Sequence, residues 1–214
     1  MHGYDTDFAN VSGAHNVILG ADHAVSGSNS IVFGSQNTVA GSSSFVGGVA
    51  NTVTGSGNGG VVLSGTGNTV GQQFATIVSG QRNAANAQFA VVVGGQDNVV
   101  EQLEGVIVDG TNGTVTGAGV GGVIVDGQSN TVSGSWAVDV SGQQNLVSGN
   151  SSVDLTGTRN NVTAVAAADV AGQKNVVSGK YAADVAGYQN VVSGRYGADV
   201  AGLSNVVNGT AAAD

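Results

Sequence analysis

Valine, isoleucine and leucine recur along this chain in short runs, each closed by a glycine: Gly20, Gly34, Gly48, Gly65, Gly80, Gly95, Gly110, Gly127, Gly142, Gly157, Gly172, Gly187 and Gly202. The spacings are 14, 14 and 17 residues, then mostly 15. A period this short and this sustained predicts a solenoid, each repeat forming one turn stacked on the last. Two places before the glycine stand Ile18, Val32, Val46, Leu63, Val78, Val93, Val108, Val125, Val140, Leu155, Val170, Val185 and Val200, all branched aliphatics. Five places after it, twelve of the thirteen turns carry valine, Ala85 being the exception. Two apolar columns predict two strands per turn, their side chains meeting inside a flattened coil. Each buried aliphatic then contributes about 1.5–3 kcal/mol, which a lone turn could not gain.

Between the columns, three places after the glycine, lie Asn37, Asn51, Asn68, Asn83, Asn98, Asn130, Asn145, Asn160, Asn175, Asn190 and Asn205; His23 and Gly113 fill the other two turns. Asparagine tolerates left-handed backbone angles, and its amide both donates and accepts, so stacked turns favour a structural Asn ladder. A second glycine seven places on, as at Gly27, Gly41, Gly134 and Gly179, marks the opposite corner. The two 17-residue spacings fall near Gly57 to Gly60 and Gly117 to Gly122 and read as local bulges, not domain boundaries. The expectation is an all-β, single-domain solenoid over residues 13–214 after a lead-in over 1–12. About thirteen turns at about 4.8 Å give a rod of roughly 60 Å. The chain stops at Asp214 in mid-repeat, which reads as a fragment of a longer array.

Composition narrows the function. The chain has 214 residues, 37 glycines, no proline, no cysteine, 41% hydrophobic and 9% charged residues, which is the make-up of a thin packed sheet and not of a disordered tail. A net charge of −9 with five Lys and Arg leaves no basic patch for phosphate, so nucleic acid and anionic membrane surfaces are poor partners. No apolar stretch reaches the length of about eighteen residues that a spanning helix needs, and no export signal opens the chain. Disulfides and thiolate metal sites are excluded.

The run Asn29-Ser30-Ile31-Val32-Phe33-Gly34 followed by Ser35-Gln36-Asn37-Thr38-Val39-Ala40-Gly41 resembles the head repeats of trimeric autotransporter adhesins, the YadA-like left-handed parallel β-roll. Residues 13–55 match that fourteen-residue pattern best, and later turns keep its layout at fifteen. The resemblance implies a side-by-side homotrimer on the cell surface, projecting from the outer membrane, that attaches to host matrix or cell-surface ligands. The sequence offers an apolar column for such contacts: Val17, Ile31, Phe45, Val62, Ile77, Val92, Ile107 and Ile124, three places before the glycine. Strand alternation from the inner column points them outward, and a stripe of that length calls for a subunit interface.

From Asp139 the same column turns acidic, with Asp139, Asp154, Asp169, Asp184, Asp199 and Asp214 in register. Neighbours about 4.8 Å apart repel and raise one another's pKa unless cations, donors or water intervene. One reading is a solvated edge that keeps a sticky sheet soluble. The other is a strip that binds a divalent cation or a ligand. Six places before the glycine the chain gains Trp136, Tyr181 and Tyr196, which read as packing or interface groups ahead of a carbohydrate platform.

Nothing recommends an enzyme. His2, His15 and His23 lie near the start without a triad partner, and His23 reads as a surface corner residue. The Gly-Gly and Gly-x-Gly pairs lack a following Lys-Ser or Lys-Thr. Identical repetition of carboxylates argues against one hydrolytic site. No cofactor is expected. The leading functional reading is therefore an adhesin head whose affinity is spread over many repeats. A phage tail fibre or surface spacer is the structural alternative, and an ice-binding solenoid the third. Ice binding calls for a regular threonine array, and Thr38, Thr52, Thr69, Thr114 and Thr131 share one corner-side column only intermittently.

Overall fold

The computed structural model describes residues 10–214; the start of the lead-in and His2 lie outside the described residues. The protein is an all-β parallel solenoid of about thirteen turns with two strands per turn and no α-helix among the described residues. It divides into two compact units, one ending at Glu104 with six turns and one spanning Gly105–Asp214 with seven.

Every strand but Val17–Ala21 and Ile31–Ser35 is two residues long. Such strands are stable only because each pairs in parallel with the equivalent strand of the adjacent turn. In the second unit Val138–Asp139 pairs with Val153–Asp154, and Leu146–Val147 with Asn161–Val162. One strand of each turn builds sheet I and the other sheet II. Strand amides donate forward, as from Val153 N to Ala167 O at 3.0 Å. Corner residues donate backward, as from Gln144 N to Gln128 O at 2.8 Å. Reversing the donor requires a flipped peptide, and the corner residues accordingly take left-handed angles, φ 57° at Gln144, 59° at Arg159 and 57° at Lys174. The asparagines themselves do not; the residue before each of them carries the strain. Gly142, with φ +119°, closes the sheet I run, and a Cβ there would collide with the carbonyl oxygen of Gly157 in the next turn.

Inside the coil, sheet II supplies an unbroken column that is fully buried in the second unit at Val115, Val132, Val147, Val162, Val177 and Val192. Asparagine oxygens form a second column. Asn145 N donates to Asn130 Oδ1 at 3.1 Å, Asn160 N to Asn145 Oδ1 at 3.1 Å and Asn175 N to Asn160 Oδ1 at 3.2 Å. The ladder is thus amide oxygen to backbone N–H, and each side-chain nitrogen turns back to a carbonyl four residues earlier, as Asn175 Nδ2 does to Ala171 O at 3.2 Å.

The sheet I column does not keep its place against the glycine. In the first three turns the buried residues are Ile18, Val32 and Val46, two before the glycine; from the fourth turn they are Val62, Ile77, Val92, Ile107 and Ile124, three before it. Val46 pairs with Val62, which fixes where the shift occurs. The strand starts Phe45 and Thr52 are seven residues apart, whereas Val61 and Thr69 are eight. The residue that lengthens the turn from fourteen to fifteen therefore sits between the sheet I strand and the glycine. Since strand side chains alternate, an alignment anchored on the glycine exchanges inside and outside from that point. The two 17-residue intervals insert at the other corner, where Thr52 to Val61 and Thr114 to Val123 span nine residues in place of seven.

Candidate functional site

The one-residue shift relocates the expected interface. Val17 and Ile31 are exposed and Phe45 is half-buried, as an outward column requires. Val62, Ile77, Val92, Ile107 and Ile124 are buried to within 1% of complete inaccessibility and form the core of their own coils, so they cannot meet another subunit. The outward positions of sheet I are the flanking residues. In the second unit these are Val106 and Val108, Val123 and Val125, Val138 and Val140, Val153 and Leu155, Ala168 and Val170, and Ala183 and Val185. The sheet still bears an exposed aliphatic stripe, two residues wide.

The shift also takes the aspartates inside. Asp139, Asp154, Asp169, Asp184 and Asp199 are each 0% exposed, which overturns the solvated-edge expectation. They are paired in unbroken register from Asp139 to Asp199, with Ile124 preceding them; Asp214 is exposed. Neither carboxyl oxygen of Asp139, Asp154, Asp169 or Asp184 has a hydrogen-bond partner. Asp199 alone accepts one, from Asn205 Nδ2 to Oδ1 at 3.2 Å.

Burial pushes the Asp139 carboxyl up to about 7, partly offset by the nearby Asn145 amide and the Ser141 backbone. Burial again leads at Asp154, also about 7, with the charge of Asp139 adding to it. Asp169, lying between Asp154 and Asp184, reaches about 8 and Asp184 about 6, both chiefly through desolvation. The coil is thin, so side chains closed to water still lie near it. An ion pair lies elsewhere, on the surface of the first unit, where Arg82 Nε meets Asp97 Oδ1 at 2.7 Å. Among the described residues no three His, Cys, Asp or Glu side chains converge as a metal site.

Sheet II presents a different outer face. The threonines expected along a corner are strand residues: Thr38, Thr52, Thr69, Thr114 and Thr131 each open a sheet II strand and point outward. The next outward position, two residues on, holds Thr54, Thr116, Ser133, Ser148, Thr163, Ser178 and Ser193 among others. Of all side chains in these two columns, from Ala24 to Asn208, only Glu101 is charged and none is aromatic. In an acidic protein, that is a nearly neutral surface of methyls and hydroxyls on a repeating grid.

Phe33 and Phe45 lie in sheet I strands, but five other aromatics belong to neither sheet face. Phe74, Phe89, Trp136, Tyr181 and Tyr196 all take left-handed corner positions, φ 54–62°. Phe74 and Phe89 stack at 5.5 Å, Tyr181 and Tyr196 at 5.2 Å, and a Cβ on Gly121 would come within 2.5 Å of the Trp136 ring. The rings lie over the neighbouring turn's backbone and cover it. Lys180 and Arg195 are seated about 5 Å over the two tyrosine rings, while all five side chains keep an exposed part. His23 is a core residue, not a surface corner. It is fully buried at the head of the Asn ladder, its Nδ1 accepting from Asn37 N at 3.2 Å. His15 is exposed at a corner.

A family model described as the grass antifreeze beta roll matches residues 5–59, about a quarter of the chain. No curated protein matches it. The matched stretch includes the Thr38 and Thr52 strands of sheet II together with the first turns of sheet I.

Proposed function

We propose that the chain is an ice-binding solenoid that orders water on the outer face of sheet II. The observation that carries this reading is the paired outward columns, exemplified by Thr52 and Thr54, Thr131 and Ser133, and Val176 and Ser178, repeated turn after turn with Glu101 the sole charge. Binding a lattice needs many small, uncharged groups at a constant repeat of about 4.8 Å, with methyls to shape a water layer and hydroxyls to tether it. Affinity then grows with the number of rungs and no pocket is needed. The match of residues 5–59 to the antifreeze beta roll family supports the same reading.

The test is partition into slowly growing ice. The native chain is expected to concentrate in the ice phase. Thr52→Tyr with Thr131→Tyr, one bulky side chain in each unit, should lose most of that enrichment, while Val93→Tyr on the outer face of sheet I should keep it. A native chain left behind in the liquid would end the proposal.

The stripe on sheet I favours a second reading, the adhesive or structural trimer. Leu63, Val93, Val125, Leu155 and Val185 are 36–43% exposed, in a row that a free monomer has no reason to keep so apolar. On this reading a solution mass near three times 20.7 kDa is expected by light scattering, falling to a single chain in Val140→Lys with Val170→Lys. A native monomer at micromolar concentration would exclude it.

A further inference from the structure

We propose that Asp139, Asp154, Asp169 and Asp184 form a proton-holding column inside the second unit, which packs tightly in acid and loosens as the pH rises past neutrality. The interior around them offers each carboxylate an asparagine amide and a backbone N–H, which offset its burial only in part. Asp169 faces Ala167 from its own corner, Asn175 from the opposite corner, Val177 from sheet II, and Asp154 and Asp184 from the adjacent turns. The other turns repeat this set, save that Ser152 takes the alanine's place beside Asp154, and no histidine follows residue 24. No lysine, arginine or histidine faces the column; the groups that titrate against each aspartate are its neighbours in the same ladder.

Four carboxylates stacked at about 4.8 Å, closed to solvent and with no hydrogen bond of normal length to any of their oxygens, repel with little compensation. Neutral carboxyls remove the conflict. Each carries one O–H, taken up as a proton from solvent, and that O–H can donate to a carboxyl oxygen one turn away. The raised values of about 6 to 8 agree with this geometry. The sign follows directly. A group that holds its proton more firmly folded than unfolded, where the value is near 3.8, makes folding take up protons between about pH 4 and pH 8, so stability falls as pH rises through that window. The first unit is an internal control, because Val62, Ile77 and Val92 fill its column.

Amide hydrogen exchange on the full chain, corrected for intrinsic rates, reads the device. Protection of the strands between Val138 and Asp199 is expected to drop about tenfold or more from pH 5.5 to pH 8.5, while those between Val61 and Val100 hold steady. The variant combining Asp154→Asn, Asp169→Asn and Asp184→Asn should flatten the response. Should that variant fail to fold, refolding the native chain in weakly buffered solution at pH 6 should absorb about two to four protons per molecule. Equal corrected protection at both pH values, or uptake below about two protons, overturns the proposal.

Discussion

Asp169→Val is expected to stabilise the protein at pH 8 by about 3–5 kcal/mol and at pH 4 by less than about 1 kcal/mol. The chain itself supplies the precedent. The turn through Val92 places Ala90, Val92, Asn98 and Val100 inside the coil, and the turn through Asp169 places Ala167, Asp169, Asn175 and Val177 there. At these four positions the interiors differ only in Val against Asp, so the valine enters a space of known shape. The gain comes from removing a desolvated carboxyl whose folded value, about 8, stands far above its unfolded one. That carboxyl carries no penalty below about pH 4 and accumulates it up to pH 8, while valine has no such dependence. Asp154 and Asp184 also lose a repelling neighbour. Urea unfolding at the two pH values measures the difference; an equal gain at both would mean that packing alone is responsible.

Asn160→Ala is expected to cost about 2–4 kcal/mol at pH 5, where the acidic column is largely neutral. Asn160 Oδ1 accepts the backbone N–H of Asn175 at 3.2 Å, and its Nδ2 faces the carbonyl of Thr156 at 3.4 Å. Both partners lie inside or at the wall of the coil, where water cannot replace the lost amide, and a buried N–H left unpaired keeps its whole desolvation cost. The midpoint of urea unfolding should fall accordingly, with the slope unchanged. A loss under about 1 kcal/mol would mean that the ladder is ornamental and the valine columns alone hold the turns. His23 indicates what the position requires, since an imidazole nitrogen accepts from Asn37 N in the place of an amide oxygen.

Much of the fold was legible because the repeat is. Glycine spacing and valine columns predict two strands per turn, stacked in parallel, and the asparagines are where a structural ladder belongs. The ladder's chemistry was less open to reading. Amide-to-amide pairing and amide-to-backbone pairing need the same residue at the same spacing, and only the left-handed neighbours, such as Gln144 and Arg159, turn the backbone N–H onto the oxygen. The aromatic corner was missed for a related reason. Trp136, Tyr181 and Tyr196 look like strand residues by count, yet they occupy corners that bulky side chains seldom take.

The sequence by itself determined the solenoid, its period, its paired aliphatic columns and the presence of an acidic column in register, because these depend only on which residue types recur and how often. Tertiary structure decided which way each column faces. Side chains in a strand alternate with a period of two, so one residue added between Val62 and Gly65, where Val46 and Gly48 have one fewer, reverses inside and outside for every later turn. That parity put Ile77, Val92 and Ile107 in the core in place of a subunit interface, moved Leu63, Val93 and Val125 to the surface, and enclosed five aspartates where no solvent or counter-charge reaches them.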